Sequence, residues 1–163
     1  MPLNAKPASL IVAAVLVLAW NACAAAEASG DYATDLATVY GGYQRMQAMR
    51  DACDAAAPET RAANAEAHAE WRKRHRELIA ELQRRVNAMI RSASQDEKDY
   101  ARNLGKYEGA ILQERQEYRQ LLLAQEADVL RERCQKLPEF LKGPGADLRQ
   151  VYASELRTIR ERK

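Results

Sequence analysis

Few side chains in this sequence can ligate a metal, relay a proton or attack a substrate. The only histidines are His68 and His75, and the cysteines are Cys23, Cys53 and Cys134. Seven residues of helix put the two histidines on one face but about 10 Å apart, too far to chelate one ion without further ligands. The positions three residues before them hold Ala65 and Arg72, so the Glu-x-x-His pairs of carboxylate di-iron bundles are missing. No CxxCH provides a haem attachment. With Trp71 between them, the histidines suit helix packing better than chemistry. No serine lies in a nucleophile-elbow context, no glycine-rich phosphate loop exists, and the carboxylates form no recognisable catalytic pair. The expectation is a non-enzymatic chain with no cofactor and no metal.

Cys53 and Cys134 suggest another kind of chemistry. The chain opens MPLNAKPASLIVAAVLVLAWNACAAAEASG, with Lys6 ahead of an apolar run from Leu10 to Trp20 and small residues after it. This is the layout of a secretory signal peptide, cleaved after Ala24 or Ala26. The run, about 11 residues long, falls short of the roughly 20 needed for a permanent transmembrane anchor. Acylation of Cys23 as a lipoprotein is the minor alternative, weakened because Trp20 stands where an aliphatic residue is usual. The expected layout is a signal peptide over residues 1–26 and a single helical domain over 27–163, periplasmic or secreted. In an oxidising compartment the two remaining cysteines are expected to close a disulfide within the chain rather than stay as buried thiols.

Cleavage removes Lys6 from the 25 basic residues and none of the 23 acidic ones, leaving a net charge of +1. That near-neutral balance argues against a general nucleic-acid partner. The densest positive cluster is Arg72, Lys73, Arg74, His75 and Arg76. It could capture anionic envelope material, either lipid head groups or cell-wall polymer, although consecutive helical residues wrap around the whole helix and Glu70 is spaced to pair with Arg74.

The composition, rich in Ala, Glu, Gln, Arg and Leu, points to an all-α fold. A first helix over about 31–56 carries a stripe of Tyr32, Leu36, Val39, Tyr43, Met46 and Cys53. A second begins near Pro58, continues through Trp71, His75, Leu78, Leu82, Val86 and Met89, and stops near Ser92. Ser94 and Glu97 match a capping box opening a third helix that runs to Leu137, just before Pro138. That helix would be about 43 residues and roughly 65 Å long, with a phase slip of its stripe around Leu121–Leu123. The GPG at 143–145 is a turn, and Leu148, Val151, Tyr152, Leu156 and Ile159 mark a short final helix.

Short connections predict an antiparallel three-helix bundle, or long helical hairpin, in which helices one and three run parallel. Cys53 and Cys134 each lie shortly before a helix-ending proline, so both reach one end of the bundle. The same register sets Gly41 and Gly42 against Leu121–Leu123, where a close approach explains two glycines in mid-helix. Gly105 and Gly109, in NLGKYEGA, form a small face suited to packing on helix two. The hairpin tip should project beyond helix one and leave Tyr100, Asn103, Lys106, Tyr107 and Glu108 as a surface for an envelope protein partner or a second copy of the chain.

Overall fold

The computed structural model describes residues 28–162. The signal segment expected over 1–26, with Cys23, lies outside the described residues. Among the described residues every regular element is helical: α1 (Tyr32–Ala56), α2 (Arg61–Ser92), α3 (Glu97–Leu123), α4 (Ala127–Lys142), α5 (Leu148–Val151) and α6 (Ala153–Glu161), with single 3-10 turns at Pro58–Thr60 and Pro144–Ala146. No helix among them is long and apolar enough to cross a membrane.

Local signals account for most helix ends. Asp31 caps α1, its carboxylate accepting from the Thr34 amide at 2.8 Å, and Pro58 closes the end by opening a 3-10 turn into α2. The start of α3 differs from expectation. Asp96 is its cap, accepting from the Asp99 amide at 2.8 Å, while the Ser94 hydroxyl donates back to the Ile90 carbonyl. A carboxylate one residue ahead of the helix displaces the expected capping box.

The expected long third helix is two helices. The chain breaks at Ala124–Glu126 and folds back, so that α4 meets α1 and α2 in the opposite direction to α3. Arg131 of α4 lies near Glu59 at 3.8 Å, Cys134 bonds to Cys53, and the Leu141 carbonyl accepts from Arg74 at 2.5 Å. Cys53 and Cys134 are therefore joined, with Cα atoms 5.3 Å apart and both side chains fully buried, but on antiparallel rather than parallel helices. Pro138 lies inside α4 and does not end it. Proline in a helix interior costs about 3 kcal/mol or more, and the buried stripe Leu130, Cys134, Leu137 and Leu141 supplies the tertiary packing that holds the turn.

From α4 the chain continues along the α1/α2 pair as one interrupted column. Trp71 Nε1 donates to the Ala146 carbonyl at 2.7 Å, Arg85 donates to the Ile159 carbonyl at 2.9 Å, and Arg162 reaches the Gly30 carbonyl at 3.3 Å. The core is thus a three-column bundle in which α2 and the α4–α6 column both run antiparallel to α1, with Trp71 fully buried within it. The expected single final helix is split at Tyr152 into α5 and α6.

Helix α3 lies outside this core. It rests mainly on α1 and touches α2 sparingly, and of its 27 residues Leu122 alone is buried. It runs parallel to α1: Tyr40 neighbours Tyr107, Arg45 approaches Glu114 at 3.8 Å, and Asp51 is bound by Arg115. This register corrects the glycine expectation. A side chain on Gly42 would meet the ring of Tyr152 and one on Gly41 the Glu114 carboxylate, whereas Leu121 is 68 % exposed. Gly105 and Gly109 face open space rather than α2.

Candidate functional site

Because α3 leans on α1 and stands away from α2, a trough opens between α2 and α3 with α1 beneath. Two adjoining hollows share Tyr43 and Gln83: one of about 310 Å³ is lined by all three helices, and the other, of about 440 Å³, by α1 and α2. The floor is packed. Tyr43 stacks on Trp71 with ring centroids 6.3 Å apart and planes 8° apart, and its hydroxyl accepts from Gln47 Nε2 at 2.7 Å.

The α2 wall is a helical face of Ala69, Arg72, Lys73, Arg76, Ala80 and Gln83. These positions recur every three to four residues, so they share one side. Among the described residues none of Arg72, Lys73 and Arg76 is ion-paired, and all three are exposed. Arg74 points the other way, to the Leu141 carbonyl, instead of pairing with Glu70. The basic run is therefore divided between two faces.

The α3 wall carries Tyr107, Glu108, Ile111, Leu112 and Arg115. Arg115 is committed to Asp51. Burial works against ionisation there, but hydrogen bonds from Arg115 and Arg50 hold the Asp51 carboxyl below its ordinary value. Leu112 is 62 % exposed at the rim. Tyr107 is half-buried, its hydroxyl has no hydrogen-bond partner among the described residues, and burial pushes the phenol up to about 12, with Tyr40 and Glu114 adding to the shift.

The tip residues are differently placed. The Tyr100 ring lies under the Arg91 guanidinium at 3.8 Å, and Asn103 donates to the Ser94 hydroxyl at 3.1 Å. Lys106 and Glu108 are exposed. Ile90 is buried, and Tyr32 of α1 lines a hollow with Met89 beside α6. Helix one and the final column therefore both reach this end, so the expected projection of a bare hairpin tip is not found. Of the five tip residues, Tyr107 and Glu108 line the trough; Tyr100, Asn103 and Lys106 do not.

Both histidines are buried, on either side of Trp71, with ring centroids 5.7 Å away for His68 and 4.8 Å for His75. His75 Nδ1 lies 2.9 Å from the Trp71 carbonyl, and its Nε2 accepts from the Leu148 amide at 3.2 Å. Burial pulls His68 down to about 4, with Arg50 and then Arg72 adding to the effect, so it is neutral at physiological pH. Among the described residues no three His, Cys, Asp or Glu side chains converge as metal ligands.

A second apolar hollow, of about 610 Å³, lies over α4 with Val129, Leu137 and Phe140. Its charges are mixed in sign and partly self-compensated, since Lys136 pairs with Glu132 at 2.5 Å. Tyr43 was expected only as a stripe residue of α1, and Gln83, Leu112 and Arg115 of the trough carried no expectation. The available signal was Leu112, a leucine one residue past Ile111, which follows Tyr107 at helical spacing, so that Leu112 falls off that face.

The chain matches no protein-family model, and neither curated proteins nor solved structures show significant similarity to it. The fold defines the class: an all-α, disulfide-closed bundle with one peripheral helix.

Proposed function

We propose that this chain is an exported, non-enzymatic helical protein that binds a protein partner in the cell envelope, and that the α2/α3 trough receives the partner. The observation that carries this reading is the trough itself, with a packed aromatic floor at Tyr43 and an exposed leucine, Leu112, at its rim. Concave surfaces with apolar floors and polar rims are where partner side chains gain most from leaving water. The signal-like N-terminus and the buried Cys53–Cys134 bond support an extracytoplasmic setting. The second reading, capture of anionic lipid or cell-wall polymer through Arg72, Lys73, Arg74 and Arg76, draws on three of these cations having no ion-pair partner among the described residues. It is weakened by Arg74, which faces away.

Site-specific photo-crosslinking in intact envelopes tests the proposal. A photoreactive residue at Leu112 should give one protein adduct of defined mass, and the same group at the exposed Arg157 of α6 should give none. No adduct at Leu112, or equal adducts at both positions, would overturn it.

A further inference from the structure

We infer that the segment received by the trough is an acidic amphipathic helix of the partner protein. This deepens the binding reading above and rests on it.

Shape comes first. The trough is bounded by two antiparallel helices held apart by a third beneath them. Its α2 wall from Ala69 to Gln83 is about 21 Å long, room for roughly four turns of a guest helix. Helices seat in such troughs by presenting one stripe at helical spacing.

Charge comes second, and the two walls differ. Arg72, Lys73 and Arg76 project from α2 with no carboxylate lining that hollow, and none is ion-paired among the described residues. On the α3 side Arg115 is taken by Asp51, Glu108 is the one acidic lining residue, and Ile111 and Leu112 lead. A guest that fits both walls carries Glu or Asp along the edge facing α2 and aliphatic residues along the edge facing α3. Opposed charges of this kind steer association and fix register.

A flat anionic membrane would touch the cations but could not enter between the walls to Tyr43 on the floor and Ile111 on the α3 wall. A phosphate-bearing polymer has no apolar edge to place on Leu112. The hollow over α4 offers no comparable single-sign wall.

The test uses the whole disulfide-bonded protein and a fluorescein-labelled helical peptide about 15 residues long, with leucine at i, i+3, i+4 and i+7 and glutamate along one edge. Anisotropy titrations should show saturable binding that weakens with salt. The combined R72E, K73E and R76E variant should weaken it at least about tenfold, as should L112D, while R84E, an exposed charge elsewhere on α2, should leave it unchanged. Far-ultraviolet circular dichroism should be the same for every variant, because all these positions are exposed. The lysine counterpart of the peptide should not bind.

Equal binding of both peptides, insensitivity to the triple reversal, or binding to phosphatidylglycerol vesicles that survives L112D would overturn the inference. If crosslinking at Leu112 persists in the triple-reversed protein, the acidic helix falls and the trough stands. Loss of crosslinking in the unaltered protein removes both.

Discussion

Replacing Gly42 with alanine tests how α1 meets the C-terminal column. A Cβ at this position would lie 2.4 Å from the Tyr152 hydroxyl oxygen and 2.5 and 2.6 Å from two ring carbons. Optimal separations are about 3.5–4.0 Å, so the ring must retreat by roughly 1 Å or more. A phenol ring moves as a rigid plate, so Tyr152, at the α5/α6 junction, must swing about its side-chain torsions against the core residues it packs on. Overpacking of this kind costs about 1–3 kcal/mol, against a gain of about 1 kcal/mol from alanine's helix propensity. The net expectation is a loss of about 1 kcal/mol, or several degrees in Tm.

A double-mutant cycle isolates the cause. In a Tyr152→Ala background the obstruction is gone, so Gly42→Ala should stabilise by up to about 1 kcal/mol, giving a coupling of about 1–3 kcal/mol. Gly41→Ala is the internal control. Its Cβ meets a flexible carboxylate oxygen of Glu114 at 3.3 Å, so it should be neutral or stabilising. Urea unfolding of the disulfide-intact protein, with m-values compared, reads all of these. Stabilisation by Gly42→Ala alone, or the same effect with and without the Tyr152 ring, would refute the reasoning.

Two further outcomes follow from the buried groups. His68 has its pKa lowered from 6.5 to about 4 by burial, so the unfolded chain binds its proton more readily; the contribution is full above pH 6.5 and is lost as pH falls toward 4, on the order of 3 kcal/mol. His68→Phe should flatten that part of the stability profile relative to the unaltered protein, and parallel profiles would show that His68 is not the group responsible. Cys53 and Cys134 close a loop with a sequence separation of 81, worth about 4.5 kcal/mol on the loop-entropy model. Non-reduced mass spectrometry should find the oxidised pair, the Cys53→Ala/Cys134→Ala protein should unfold at lower denaturant, and two free thiols or a disulfide-linked dimer would contradict the assignment.

Much of the trough was present in the sequence as separate pieces. The stripe through Tyr32, Leu36, Val39 and Tyr43 placed the floor on α1, and the run from Arg72 to Arg76 marked the α2 wall. What the sequence did not show was that these faces meet Tyr107 and Leu112. That depends on α3 lying beside α1 from Tyr40 to Asp51, a register set by Arg115 on Asp51 and by half-buried tyrosines. No local pattern encodes it.

The division has a physical basis. The sequence by itself determined that the chain is helical and where α1 and α2 begin and end, because propensity, capping and the 3.6-residue stripe act over a few residues and need no partner; it named Cys53 and Cys134 as a pair by cysteine count alone, and the antiparallel α1/α4 packing that brings them together across a separation of 81 is tertiary. Only the tertiary structure decided that the third helix breaks at Ala124–Glu126 and doubles back. That break carries no glycine or proline to announce it, only the phase slip near Leu122. Its direction follows from the apolar stripe of α4, Leu130 to Leu141, which finds burial between α1 and α2 by reversing. The interior proline at 138 is held by the same packing. Once α4, α5 and α6 fill that side of the core, α3 is left on the outside of α1, and the trough between α3 and α2 is the space that remains.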